Sequence, residues 1–195
     1  MINPVFAMTI FCSMLKNELV VTANGLLARV LFAVGDRHQN LYMLGSMGLA
    51  SSIGLGVSLA QPLRRVVVLD GDGNLLMALS TLAMVAERGP ANFLHIVFDN
   101  EVYSSTGGQR SISGVIELDA IAAAAGYKWV NRVTKENELQ SILVTALHTS
   151  GPAFLLIKVS SEIGETPPRI NLPPPSIALR FRKSATDSAG DLWGY

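Results

Sequence analysis

Two polar groups, each directly behind an apolar run, are the residues of this chain whose types and spacing can do chemistry. Val66 to Leu69 gives way to Asp70-Gly71-Asp72-Gly73-Asn74, and Phe93 to Phe98 ends in Asp99-Asn100. A carboxylate, a carboxamide oxygen and a nearby backbone carbonyl form a hard, all-oxygen donor set. That set suits Mg2+, which keeps waters or phosphate oxygens as its other ligands. Strand, glycine turn and helix in sequence point backbone N–H groups and a helix dipole at an anion. Gly73 and Asn74 would then present N–H groups to phosphate, and the site calls for a diphosphate held through a metal.

The elements around these groups must bring them together. Between Gly73 and Asn100 lie 26 residues, enough for a turn, a helix and a return strand. A parallel strand-helix-strand unit of that length puts Asp72 and Asn100 at one carboxyl edge of the sheet, where open α/β sheets bind ligands.

In chain order, residues 5 to 15 read as an apolar packed helix and Glu18 to Thr22 as a short strand. Asn24-Gly25 makes a turn, Leu26 to Val34 has helical spacing, and Leu41 to Leu44 is the next strand. The Gly45-Ser46-Met47-Gly48 turn then leads into a helix whose small residues, Gly54 and Gly56 among them, allow close approach to other backbone, and Pro62 ends it. Beyond Asn100, residues 101 to 114 read as a loop. Its Ser104, Ser105, Thr106 and Gln109, with paired glycines between, suit a mobile element closing over cofactor and substrate, and Arg110 is a candidate partner for an anionic substrate group. Leu118 to Ala125 is an alanine-rich helix, Lys128 to Val133 a strand, and 136 to 149 an amphipathic helix with Leu139, Ile142, Leu143, Ala146 and Leu147 on one face. Ala153 to Val159 is a last buried strand.

About six strands, most separated by helices, predict an α/β protein with a doubly wound parallel sheet. The expected division is a core domain over 1–165 and an extended, Pro-rich arm over 166–195, with a polar Gly- and Ser-containing terminus.

Composition narrows the function classes. Lys+Arg and Asp+Glu balance at 15 each with no basic cluster, which argues against a nucleic-acid partner. The mean hydropathy of +0.37 is high, yet no apolar run reaches the roughly 18 to 20 residues of a spanning helix, so a buried sheet and a large subunit interface account for it. Cys12 is the single cysteine, which excludes an internal disulfide and fits a cytoplasmic location. His38, His95 and His148 form no ligand cluster, and His95 reads as a core or cofactor-flanking residue.

Gly71-Asp72-Gly73 followed at this spacing by Asp99-Asn100 resembles the diphosphate and Mg2+ signature of thiamin diphosphate (ThDP) enzymes, with Asp99 in place of the usual first asparagine. The resemblance implies the pyrophosphate-binding domain of the ThDP-binding fold. It gives Mg2+ to the side chains of Asp72 and Asn100 and the carbonyl of Val102. The cofactor falls to Gly45, Ser46, Met47, Gly71, Gly73, Asn74, Asn100, Val102 and Tyr103, with Met47 propping it in its bent shape. Together with Asp36-Arg37-His38, LYMLGSMGLASSIGLG, HIVFDNEVYSSTGGQ and the ending ALRFRK, the chain over residues 18 to 160 is similar to the ThDP-binding half of phosphonopyruvate and sulfopyruvate decarboxylases.

That likeness implies ThDP- and Mg2+-dependent decarboxylation of a 2-oxo acid. It also implies that this chain holds no catalytic residue: the pyrimidine-activating Glu belongs to a domain absent here and comes from an α-subunit partner. Alone, the chain is expected to be a homo-oligomer, a dimer or larger. Two alternatives stand beside this reading. One is the β subunit of a 2-oxoacid:ferredoxin oxidoreductase, which carries a similar Thr-Gly-Gly-Gln loop but typically an amino-terminal Cys-x-x-Cys. The other is a non-catalytic ThDP-like assembly module.

Overall fold

The structure, a computed structural model, describes residues 1–186. In order, its elements are α1 (Pro4–Met14), β1 (Leu19–Thr22), α2 (Leu26–Gly35), β2 (Asn40–Tyr42), α3 (Ala50–Ala60), β3 (Val66–Gly71), α4 (Asp72–Leu76) and α5 (Ser80–Arg88). They are followed by β4 (Phe93–Asp99), β5 (Val102–Tyr103), β6 (Gln109–Arg110), α6 (Leu118–Ala125), β7 (Trp129–Val133), α7 (Glu136–His148), β8 (Ala153–Lys158) and α8 (Pro174–Thr186). Six strands form one sheet in the order β2-β1-β3-β4-β8-β7, and every pairing in it is parallel. The doubly wound parallel sheet expected from the sequence is therefore present.

Strand alternation divides the core into two layers. Val20, Val67, Leu69, Ile96 and Leu155 face α1, α2 and α7, while Val21, Val66, Val68, Val97 and Leu156 face α3, α5 and α6. Because both faces are covered, the central strands are apolar at nearly every position, as parallel sheets require. The glycine-rich α3 lies against β3 at Gly54, where a Cβ would stand 2.1 Å from Val68 Cγ2. Gly56 by contrast has nothing within 4 Å. One of the two glycines thus accounts for the close approach.

Three readings need correction. Residues 166–173 have no regular structure, but 174–186 are helical rather than extended. Proline at the first helical position costs nothing there, and α8 buries Ile177, Phe181 and Ala185. It packs against β2, so it covers what would be an open sheet edge. Arg180 fixes it by pairing with Asp36 and lying 5.5 Å from the centre of the Tyr42 ring. The polar terminus beyond 186 lies outside the described residues. Second, 101–114 is more than a loop: it contains the antiparallel hairpin β5-β6 and a 3-10 turn at Ile112–Gly114. Third, the helix after the Gly-Asp-Gly group is broken into α4 and α5 by turn residues 77–79.

Cys12 is half-buried on α1, and burial pushes its thiol up to about 11 against the opposing pull of Arg37. At pH 8 the thiolate is then scarce, and modification by a disulfide reagent is expected to run ~100-fold slower than for free cysteine. Reaction at the free-cysteine rate in a stopped-flow assay would contradict this packing. No helix among the described residues is long and apolar enough to cross a membrane.

Candidate functional site

Within the sheet β1 lies between β2 and β3, so α2 leaves β1 toward one face while α3, arriving at β3, covers the other. A crevice opens where such connections diverge. The pocket found there is walled by the ends of four strands: Ala23, Asn24 and Gly25 after β1, Gly71 to Asn74 after β3, Asn100 after β4, and Val159-Ser160 after β8. Its volume is about 150 Å3.

The structure gathers Met47, Gly71, Asp72, Gly73, Asn74, Asn100, Val102, Tyr103, Ser104 and Ser105 around this pocket. Gly45 and Ser46 are exposed and not among its lining residues. Thr106 and Gln109 also lie outside it: they bond each other on the exposed side of the hairpin, Thr106 Oγ1 in the turn donating to Gln109 Oε1 on β6 at 2.8 Å. Arg110 is exposed on β6.

Local geometry explains several residue types. Gly73 sits under the Tyr103 ring, where a Cβ would meet Cε1 at 2.4 Å. Asn74 uses its whole carboxamide inside the protein: Nδ2 donates to Asp70 Oδ1 at 2.5 Å and Oδ1 accepts from the Gly48 N–H at 2.7 Å. Its side chain therefore ties the 45–48 turn to β3, leaving only its backbone for a ligand. Asp70 in turn meets the buried His95 ring at 3.1 Å, and Tyr127 lies 3.4 Å beyond, so His95 is a core residue of this network. Among the described residues, the two non-glycine residues at positive φ are Ser46 (56°) and Glu101 (61°), each next to a residue of the pocket wall. Strain of this kind persists where surrounding contacts hold it.

The charges at the strand ends are unequal in their compensation. Asp99 is 1% exposed and Lys158, its register neighbour on β8, donates to it at 2.7 Å and also pairs with Glu101. Asp72 is 4% exposed and has no basic partner among the described residues. Ser113 Oγ stands 2.9 Å from Asp72 Oδ2 and 2.8 Å from Asp99 Oδ1, yet its single proton can serve only one of them at a time. Burial accordingly raises the Asp72 pKa; hydroxyls of Ser111 and Ser113 pull it down, and the Asp99 charge pushes it further up. Lys158, Ser111 and Ser113 are absent from the sequence-derived site. The only signal for Lys158 was a charged residue inside an otherwise apolar strand.

The oxygen donors that line the pocket with Asp72 include those of Asn100 and Val102. Asn100 Oδ1 accepts the Val102 N–H at 3.1 Å. Ser111 N–H donates to the Glu101 carbonyl, which sets Val102 and Arg110 at a non-hydrogen-bonded pair and leaves the Val102 carbonyl outside the ladder. Among the described residues no group of three or more His, Cys, Asp or Glu forms a metal cage. The donor chemistry is that of one carboxylate, one amide and one carbonyl, which fits a magnesium-sized hard ion.

A parallel sheet with a pocket at its switch point, where polar groups at the strand ends face a largely apolar wall of residues such as Leu26, Val30, Met47 and Phe98, defines the class of open α/β proteins that hold phosphate-bearing ligands. Residues 22–157 match the model of the thiamine pyrophosphate enzyme C-terminal TPP-binding domain, and the chain belongs to that family. It is 44% identical over 173 residues, 88% of its length, to a phosphonopyruvate decarboxylase of Streptomyces viridochromogenes, and spans 43% of that protein. To the sulfopyruvate decarboxylase subunit beta of Methanothermobacter thermautotrophicus it is 37% identical over 191 residues, covering 98% of this chain and 100% of that one. A solved Mycobacterium smegmatis protein assigned as a thiamin diphosphate-dependent enzyme shares the fold, with a TM-score of 0.66 at 20% identity over 82% of this chain and 32% of that one.

Proposed function

We propose that this chain is the diphosphate-binding half of a ThDP- and Mg2+-dependent decarboxylase acting on a 2-oxo acid of the sulfopyruvate or phosphonopyruvate class. The observation that carries the reading is Asp72: a buried carboxylate at the switch point, with no cation of its own, facing Asn100 in one pocket. A divalent ion there offsets the burial cost that the fold otherwise leaves uncompensated. Asp72, Asn100 and the Val102 carbonyl hold the metal. Gly73 and Asn74 meet the diphosphate through backbone N–H groups, and Gly71, whose own N–H donates to Asp70 Oδ1 at 2.9 Å, lines the wall beside them. Met47 with Tyr103 brackets the rings, with the 45–46 backbone reaching them from the rim. Bound ThDP supplies the electron sink into which a 2-oxo acid loses CO2.

Two features favour a second subunit. The pocket of about 150 Å3 is smaller than the ~300–1,000 Å3 of a typical cofactor site. Asp72 is the one carboxylate among its lining residues, and no Glu lines it. The acid that activates the pyrimidine then comes from an α subunit docking over the exposed Leu44, Met47, Leu49 and Met77. The test is CO2 release from sulfopyruvate and phosphonopyruvate by the chain alone and with a pyrimidine-domain subunit. Turnover is expected only with both chains, whereas full-rate turnover by this chain alone would contradict the division of labour.

A further inference from the structure

A second cavity, of about 620 Å3, opens beside the pocket and shares Asn24, Gly25, Leu26, Ser104 and Ser105 with it. Its remaining polar lining is Arg29, Thr166 and Arg169, and no carboxylate lines it. Arg29 on α2 acts as an anchor: Nε donates to the Pro168 carbonyl at 3.3 Å and Nη2 to the Pro167 carbonyl. Proline fixes φ at both anchored residues. The flanking Thr166 and Arg169 are thereby set at the cavity wall.

Beyond Arg29, the other donors there have capacity to spare. Arg169, Ser105 and Thr166 make no side-chain hydrogen bond or ion pair among the described residues, and Arg169 is exposed. Ser104 Oγ accepts from Asn100 Nδ2 at 2.9 Å, which leaves its own proton to give. The unpaired guanidinium of Arg169 and three hydroxyls, beside the anchored Arg29 and with no carboxylate among the lining residues, form a site for a tetrahedral oxyanion.

The geometry points to this cavity as an anion subsite, with Arg169 as its specificity-determining residue, taking the sulfonate or phosphonate group that a substrate carries at the end remote from its 2-oxo carboxylate. Which molecule delivers the anion rests on the proposed decarboxylase reading; the site itself rests on the cavity. Ser104 connects the two, since it touches the candidate metal ligand Asn100 and lines both spaces.

The experiment titrates methylphosphonate and, separately, methanesulfonate into the chain and its Arg169→Met and Arg169→Lys variants, with acetate as the planar control and ThDP with Mg2+ titrated into the same samples. Saturable binding of either tetrahedral anion, weakened roughly 10-fold or more by Arg169→Met and partly restored by Arg169→Lys, is the expected result. The stronger of the two anions identifies the substrate group. Binding that is absent, or equal in wild type and Arg169→Met, overturns the subsite. ThDP affinity is unchanged in all three proteins if the cofactor reading holds; absence of ThDP binding in every condition, the two-chain mixture included, would remove that reading and leave the subsite standing. In the two-chain enzyme, Arg169→Met should raise KM for the sulfonated or phosphonated substrate by a similar factor without changing kcat.

Discussion

Replacing Asp72 with Asn is expected to weaken Mg2+-dependent ThDP binding by ~100-fold or more while making the cofactor-free protein more stable. The first effect follows from losing the one charged donor of the set, a larger change than the ~10–100-fold that attends loss of a ligand's supporting partner. The second follows from burial: Asp72 is 4% exposed, has no basic partner among the described residues, and stands across one hydroxyl from Asp99. Its native pKa is raised above 3.8, so between 3.8 and the native value the folded state binds more protons than the unfolded one. Stability therefore falls as pH rises through that window, and stays lower above it. The Asn variant avoids this cost, and at pH 7 should gain about 1 kcal/mol. The gap should close below pH 3.8, where Asp72 is protonated in both states. Thermal melts of both proteins across pH, without cofactor, provide the check. A variant less stable than wild type at pH 7 would mean that Asp72 is structural.

Lys158→Met should cost about 3 kcal/mol, because Asp99 at 1% exposure then keeps a buried charge with no cation. Burial alone would lower the Lys158 pKa, but hydrogen bonds to Asp99 and Glu101 outweigh it and the net shift is upward from 10.5. Its contribution is thus fully present at neutral pH and is lost only as pH rises through the raised native value. Pairing Lys158→Met with Asp99→Asn removes both charges and should recover most of the loss. The coupling read from urea unfolding of the four proteins is expected to be at least ~1.5 kcal/mol. Additive single-mutant effects would show that the two charges do not stabilise each other.

The sheet and half of the site are legible in the sequence because each depends on local pattern. Asp72 and Asn100 reach one edge since strand, helix and return strand leave few topologies, and parallel, right-handed connections choose among them. The central strands read as unbroken apolar runs for the reason that both faces are covered. Long-range partners left no such trace. Lys158 meets Asp99 only through the β4–β8 register, 59 residues apart in sequence. Ser113 looks like any loop serine until the turn at Ile112–Gly114 swings its hydroxyl between two carboxylates. Helix α8 hides behind a proline-rich approach, although Pro174 opening an amphipathic run with Ile177 and Phe181 is a helix-start pattern. The loop residues Ser104 to Gln109 look alike as a string, yet the hairpin turn sets Ser104 and Ser105 against the pocket, while Gln109 opens β6 outside it.

The most direct test of the account is a calorimetric titration of ThDP into the purified chain with Mg2+, with EDTA, and with Mg2+ on Asp72→Asn. Saturable heat at one site per chain that requires both Mg2+ and Asp72, and that strengthens when a pyrimidine-domain subunit is added, is the predicted result. Binding of equal strength in EDTA and in the Asn variant, or none in any condition including the two-chain mixture, would contradict the assignment of this pocket to a metal-held diphosphate.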